Sequence, residues 1–129
     1  MDQVRDGFLY TKDHEWVGGD ASGRKVGITA FAVDQLGDIT LVTIDVKPGD
    51  MVEAGKAFGT VESVKTLSDL YAPISGKIVA VNTELDQKPE LVNESCYDGA
   101  WMISIASDAA PEGLMDAAAY RAFLASSAH

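Results

Sequence analysis

The sequence predicts a mainly β protein: a small sandwich or barrel with short peripheral helices and a C-terminal α-helix. Three observations predict it. Short apolar runs rich in Val, Ile, Thr and aromatic residues recur along most of the chain, each cut off by Gly, Pro, Asn or Asp. The stretch "LMDAAAYRAFLAS" lacks such breaks and holds five alanines, which favours a terminal helix. Finally, 129 residues with 47% hydrophobic content suit one globular domain with a single core. Residues 1–129 therefore read as one unit, with a β core over about 8–107 and a helix over about 112–126.

The elements follow in order. "FLYT" (Phe8–Thr11), "HEWVGG" (His14–Gly19) and "RKVGIT" (Arg24–Thr29) are strands, with "DASG" turning between the last two. Thr29 is placed to cap a short helix over Ala30 to Leu36, and Gly37 to end it. In "DITLVTIDV" the apolar positions are odd at Ile39 and Leu41 and even at Val42, Ile44 and Val46. A strand alternates faces with period two, so the buried face must switch near Leu41–Val42, through a bulge or burial on both sides. "KPGD" suits a type II turn, and "VEAG" is a further short turn. "KAFGTVES" and "TLSDLYAP" are strands, and "ISGKIVAVN" runs from a glycine turn into another. "TELDQKPELVNES" is a polar helical turn and loop, and "GAWMISIAS" is the last strand. Pro111 fits the start of the terminal helix over Leu114 to Ser126, which packs outside the β core.

Twenty acidic residues against ten basic ones give a net charge of −10. Such a surface repels nucleic acid and anionic membranes, so neither is an expected partner. Cys96 is the single cysteine and has no activating base nearby in sequence, so it reads as a bystander thiol. The two histidines, His14 and His129, lie too far apart to suggest a metal site. His14 reads as a packing residue beside Trp16. No secretory leader or apolar span is visible, and a cytoplasmic bacterial protein is expected. No nucleophile elbow, phosphate loop or dinucleotide fingerprint is present either, which argues against an enzyme.

One lysine stands out. In "GTVESVKTLSDLYAP", Lys65 sits where two strands meet, flanked by Val64 and Thr66 and not by turn formers. Val64 is β-branched and resists positive φ, so the tip is no Asn-Gly turn. An exposed lysine there is either a solubility device or a point of attachment.

The blocks "YTKDHEWV", "VGITAFAVDQLGDI", "GKAFGTVESVKTLSDLYAPISGKIVAVN", "KPELVN" and "GAWMISI" resemble the glycine cleavage system H proteins, in one uninterrupted order from about Phe8 to the terminal helix. The resemblance implies a barrel-sandwich hybrid of the lipoyl- and biotinyl-carrier type, built from two small sheets. It places covalent lipoic acid on Lys65, with Glu62, Ser63 and Val64 forming the hairpin that modifying enzymes read. It also implies a carrier without catalytic groups, serving glycine decarboxylase (P protein), aminomethyltransferase (T protein) and dihydrolipoyl dehydrogenase (L protein). A lipoyl or octanoyl transferase, or a lipoate ligase, loads it, and a monomer suits this traffic. Family members fold the loaded arm back against the protein, and Glu15 and Asp69 match positions near that arm; otherwise both are solvated surface acids. Two segments depart from the pattern: "LVTIDVKPGD", and "NESCYDGAW", where Ser95 and Cys96 replace the commoner Pro-Tyr. A carrier in another lipoate pathway, a biotin carrier, an enzyme and a non-carrier module are the rival readings. Biotinyl hairpins usually place methionines beside the lysine, which Val64 and Thr66 are not.

Overall fold

The computed structural model describes residues 4–107 and 113–126. Its strands are β1 (Leu9–Tyr10), β2 (Glu15–Gly18), β3 (Arg24–Ile28), β4 (Ile39–Ile44), β5 (Met51–Val52), β6 (Ala57–Ser63), β7 (Leu67–Tyr71), β8 (Gly76–Val81) and β9 (Ile103–Ala106). The helices are α1 (Ala30–Leu36), α2 (Glu84–Gln87), α3 (Leu91–Glu94) and α4 (Ala117–Ser126). A six-stranded sheet runs β1-β2-β3-β9-β8-β5, and a three-stranded sheet runs β4-β6-β7, all pairs antiparallel. The two expected sheets are present, and β1 and β2 extend one of them to six strands. The core between and around them is built from Val42, Phe58, Val61, Leu70, Ile78 and Ile105 among others, all buried.

The parity break in "DITLVTIDV" is a β-bulge. Pairing to β6 shifts between Ile39 and Leu41, so Ile39 and Val42 are both buried while Leu41 stays 46% exposed. The switch thus falls at Thr40–Leu41, one residue earlier than the pattern suggested, and Leu41 is not a core residue. Lys47–Asp50 closes with Asp50 N–H donating to the Lys47 carbonyl (3.0 Å), and Gly49 at φ 99° supplies the positive φ of a type II turn. The polar excursion holds two helical turns, α2 and α3, where one was expected. Gly99 to Met102 precede the last strand instead of belonging to it.

The terminal helix starts at Ala117, later than expected, because Asp116 caps it: its carboxylate accepts from Ala119 N–H at 2.8 Å. Pro111 lies outside the described residues. Ala117 and Tyr120 are the buried positions of α4, so the helix covers the β core from outside. The "NESCYDGAW" loop is pinned at several points. The Cys96 carbonyl accepts from the Trp16 indole N–H (2.9 Å), and the Ser95 hydroxyl accepts from Gly99 N–H (2.9 Å). Cys96 is a buried free thiol, its pKa pushed up to about 11 by desolvation, which suits a bystander. Among the described residues no helix is long and apolar enough to cross a membrane.

Candidate functional site

Strands β6 and β7 pair from Ala57–Tyr71 to Glu62–Leu67, which leaves Val64 and Lys65 as the tip of a hairpin. Ser63 N–H donates to the Thr66 carbonyl (2.8 Å). In the other direction the Ser63 hydroxyl takes the place of its own carbonyl, accepting from Lys65 N–H (3.1 Å) and Thr66 N–H (3.2 Å). A side-chain acceptor relaxes the backbone geometry that a two-residue hairpin otherwise demands. Accordingly neither Val64 nor Lys65 has positive φ; among described non-glycine residues only His14 does, at 65°. Ser63 is buried, and Glu62 is exposed on the outer face of the sheet.

The tip is also tied from behind. Val64 N–H donates to the Asp38 carbonyl (3.0 Å). That carbonyl is fixed by its neighbours: the Asn93 amide donates to the Gly37 carbonyl (3.0 Å) and accepts from Ile39 N–H (2.9 Å). Gly37 ends α1 at φ 83° and ψ −153°, a region that is essentially glycine's own. Lys65 is exposed; its aliphatic stem passes over Gly37 and its ammonium donates to the Gln35 carbonyl at 3.4 Å. Val64 (67% exposed) and Leu67 (61%) flank it, and Leu41, Glu62 and Leu67 form one outward cross-strand row.

From Gln35 the surface falls into a cleft of about 160 Å³. Its apolar lining is Ile28, Ala32, Leu36, Val61 and Leu70, and its polar lining includes Asp13, His14, Glu15 and Asp69. Glu15 is only 2% exposed, so it is not a solvated surface acid. Tyr71 N–H donates to its Oε2 at 2.7 Å. Burial outweighs that bond and raises the carboxyl pKa to about 8. Asp69 is exposed, with its carboxylate 3.5 Å from the Tyr71 hydroxyl. The structure thus brings Glu15 and Asp69 to one cleft that opens beside Lys65. His14 packs as expected, but not against Trp16: its ring lies on Phe31 (4.5 Å) and near Tyr120 and Phe123 (5.8 Å each).

Sequence reasoning missed Asn93 and the Asp38 carbonyl. Asn93 stood in the quoted "KPELVN" block, but its partners are more than fifty residues away. An asparagine directly after the apolar pair Leu91-Val92 was the available signal.

The family model described as Glycine cleavage H-protein matches residues 8–127. A glycine cleavage system H protein of Halalkalibacterium halodurans is 50% identical over 123 residues, 94% of this chain and 95% of its own. One from Bacillus cereus is 52% identical over 102 residues, covering 79% and 80% of the two chains. The crystal structure of a glycine cleavage system H protein from Mycobacterium marinum superposes with a TM-score of 0.87 at 37% identity, over 95% of this chain and 99% of that one. A hairpin that presents one lysine and a matching fold along nearly the whole length agree: the chain belongs to the glycine cleavage H-protein family.

Proposed function

We propose that Lys65 carries lipoic acid in amide linkage and that the chain shuttles the aminomethyl group of glycine between enzymes. Membership of the family gives it the role of lipoyl carrier in the glycine cleavage system. In this reading the pyridoxal-phosphate-dependent decarboxylase loads it, the tetrahydrofolate-dependent aminomethyltransferase unloads it, and dihydrolipoyl dehydrogenase reoxidises it. The observation that carries the proposal is the exposed Lys65 on a tip whose backbone is held at three points. The residues fit the group. Lys65 is open to an acylating enzyme, and the cleft beside it combines an apolar lining with carboxyl groups.

The dithiolane supplies thiol–disulfide exchange and a sulfur that takes up the one-carbon amine. The chain's own residues do the rest. Acylation removes the Lys65 charge and its attraction to the Gln35 carbonyl, freeing the side chain from the end of α1. Glu62, Ser63 and Val64 offer the modifying enzyme a fixed hairpin edge. Glu15 and Asp69 hold a cationic amine in the cleft by charge-assisted hydrogen bonds, and an ammonium there offsets the burial that keeps Glu15 protonated. Acidic surface around the tip steers basic faces of successive enzymes without tight binding. The protein works as a monomer in the bacterial cytoplasm and has no catalytic group of its own.

Mass spectrometry of the Lys65 peptide from cells with active lipoylation enzymes tests this. A lipoyl addition on Lys65, abolished in Lys65→Arg, and acceptance of aminomethyl from glycine decarboxylase are the expected results. An unmodified or biotinylated Lys65 overturns it.

A further inference from the structure

The cleft is also supported from the far end of the chain. Tyr120 is fully buried in α4, stacked on Tyr10 at 4.5 Å and 4°. Its hydroxyl oxygen lies 2.9 Å from Thr29 Oγ1 and 2.8 Å from His14 Nδ1. His14 lines one wall of the cleft, and Thr29 caps the helix that forms another. That helix, α1, supplies Ala32, Gln35 and Leu36; His14 immediately precedes Glu15. The walls also meet through Thr29 N–H donating to the His14 carbonyl (2.9 Å). His14 holds a left-handed φ of 65°, a strained conformation that persists only where surroundings impose it.

Counting protons gives the chain a direction. Thr29 Oγ1 already accepts from Ala32 N–H at 3.2 Å, and Thr29 has no exposed surface. Its one hydroxyl proton is satisfied only by donation to the Tyr120 oxygen, because the reverse direction leaves that proton buried without an acceptor. The Tyr120 proton then goes to His14 Nδ1, so a neutral His14 carries its own proton on Nε2.

We propose that Tyr120 is a positioning residue for the arm-docking cleft: one hydroxyl from the C-terminal helix clamps α1 to the Asp13–Glu15 segment and fixes the His14 tautomer. The inference rests on the docking role of the cleft given above.

Tyr120→Phe keeps the ring stack and removes the clamp. In the ¹⁵N-labelled protein without lipoate, wild-type His14 is expected to show the Nε2–H pattern, and Tyr120→Phe a mixture of tautomers. In the aminomethyl-loaded protein, spontaneous loss of the group is expected to rise about threefold to tenfold, the factor one lost hydrogen bond gives. Glu15→Ala, measured alongside, separates the two ideas. If Glu15→Ala loses the group faster while Tyr120→Phe matches wild type in rate or in tautomer, the clamp is overturned and docking stands. If Glu15→Ala matches wild type, docking itself is overturned, and the clamp's role with it. Should Tyr120→Phe fail to fold, Thr29→Val severs the clamp from the α1 side but leaves the Tyr120 bond to His14, so it is read by the rate of loss alone: a wild-type rate overturns the clamp.

Discussion

Lys65 and Glu15 are the two ionisable groups at opposite ends of one site, and the fold treats them oppositely. Lys65 stays in water; its surroundings fix the backbone beneath it and touch its side chain only through one long bond to the Gln35 carbonyl. Glu15 is withdrawn from water and keeps one backbone donor and a strongly raised pKa. The lesson is that presentation and reception need different physics. In the proposed function the presented group has a rigid root and a free end, whereas the receiving group is held in an unfavourable state that a cationic visitor relieves.

The sharpest way to break this contrast is to titrate it. An unfolded glutamate titrates near 4.5, but Glu15 in the folded chain titrates near 8. Between those values the folded state holds the extra proton, so Glu15 makes stability fall as pH rises, by at most about 4 kcal/mol from pH 5 to 8. Glu15→Gln keeps an oxygen for Tyr71 N–H and removes the titration. Urea unfolding of both proteins across that range is expected to show the variant gaining on wild type as pH rises; parallel curves would mean that Glu15 is ionised throughout.

At the other end, Gly37→Ala is expected to cost about 1–3 kcal/mol, since alanine is strained at φ 83° and ψ −153°. It also displaces the Asp38 carbonyl that holds Val64, so lipoylation by a purified ligase should slow more than stability alone explains. Ser63→Ala is the mildest test. Removing the hydroxyl leaves Lys65 and Thr66 N–H without their acceptor and is expected to cost about 1 kcal/mol in thermal unfolding. A several-fold drop in lipoylation rate with little loss of stability would show that the root needs rigidity. An unchanged rate would show that the enzyme reshapes the tip.

Much of the fold was legible because its signals are local. Thr29 and Gly37 bound α1 through their own side chain and φ, and Pro48-Gly49 dictated a turn. The bulge in β4 was readable from parity, although Leu41 misled the pattern by being apolar and outward. That Lys65 stands at an exposed hairpin tip was legible through its surrounding block. The depth of Glu15 was not, because β2 is buried on both faces and such a strand carries no alternation. Asn93 and Tyr120 were illegible for a related reason: each acts on residues more than fifty positions away, so their roles exist only once the sheets and helices are packed.

The bond from Val64 N–H to the Asp38 carbonyl has a mechanical consequence. In the proposed function an arm on Lys65 that a partner engages pulls on its root, and a lone hairpin under such tension opens from the end, one rung at a time. Here part of the load passes sideways through Asp38 into β4, which is itself paired to β6. The carrier can therefore be tugged by successive machines and spring back unaltered.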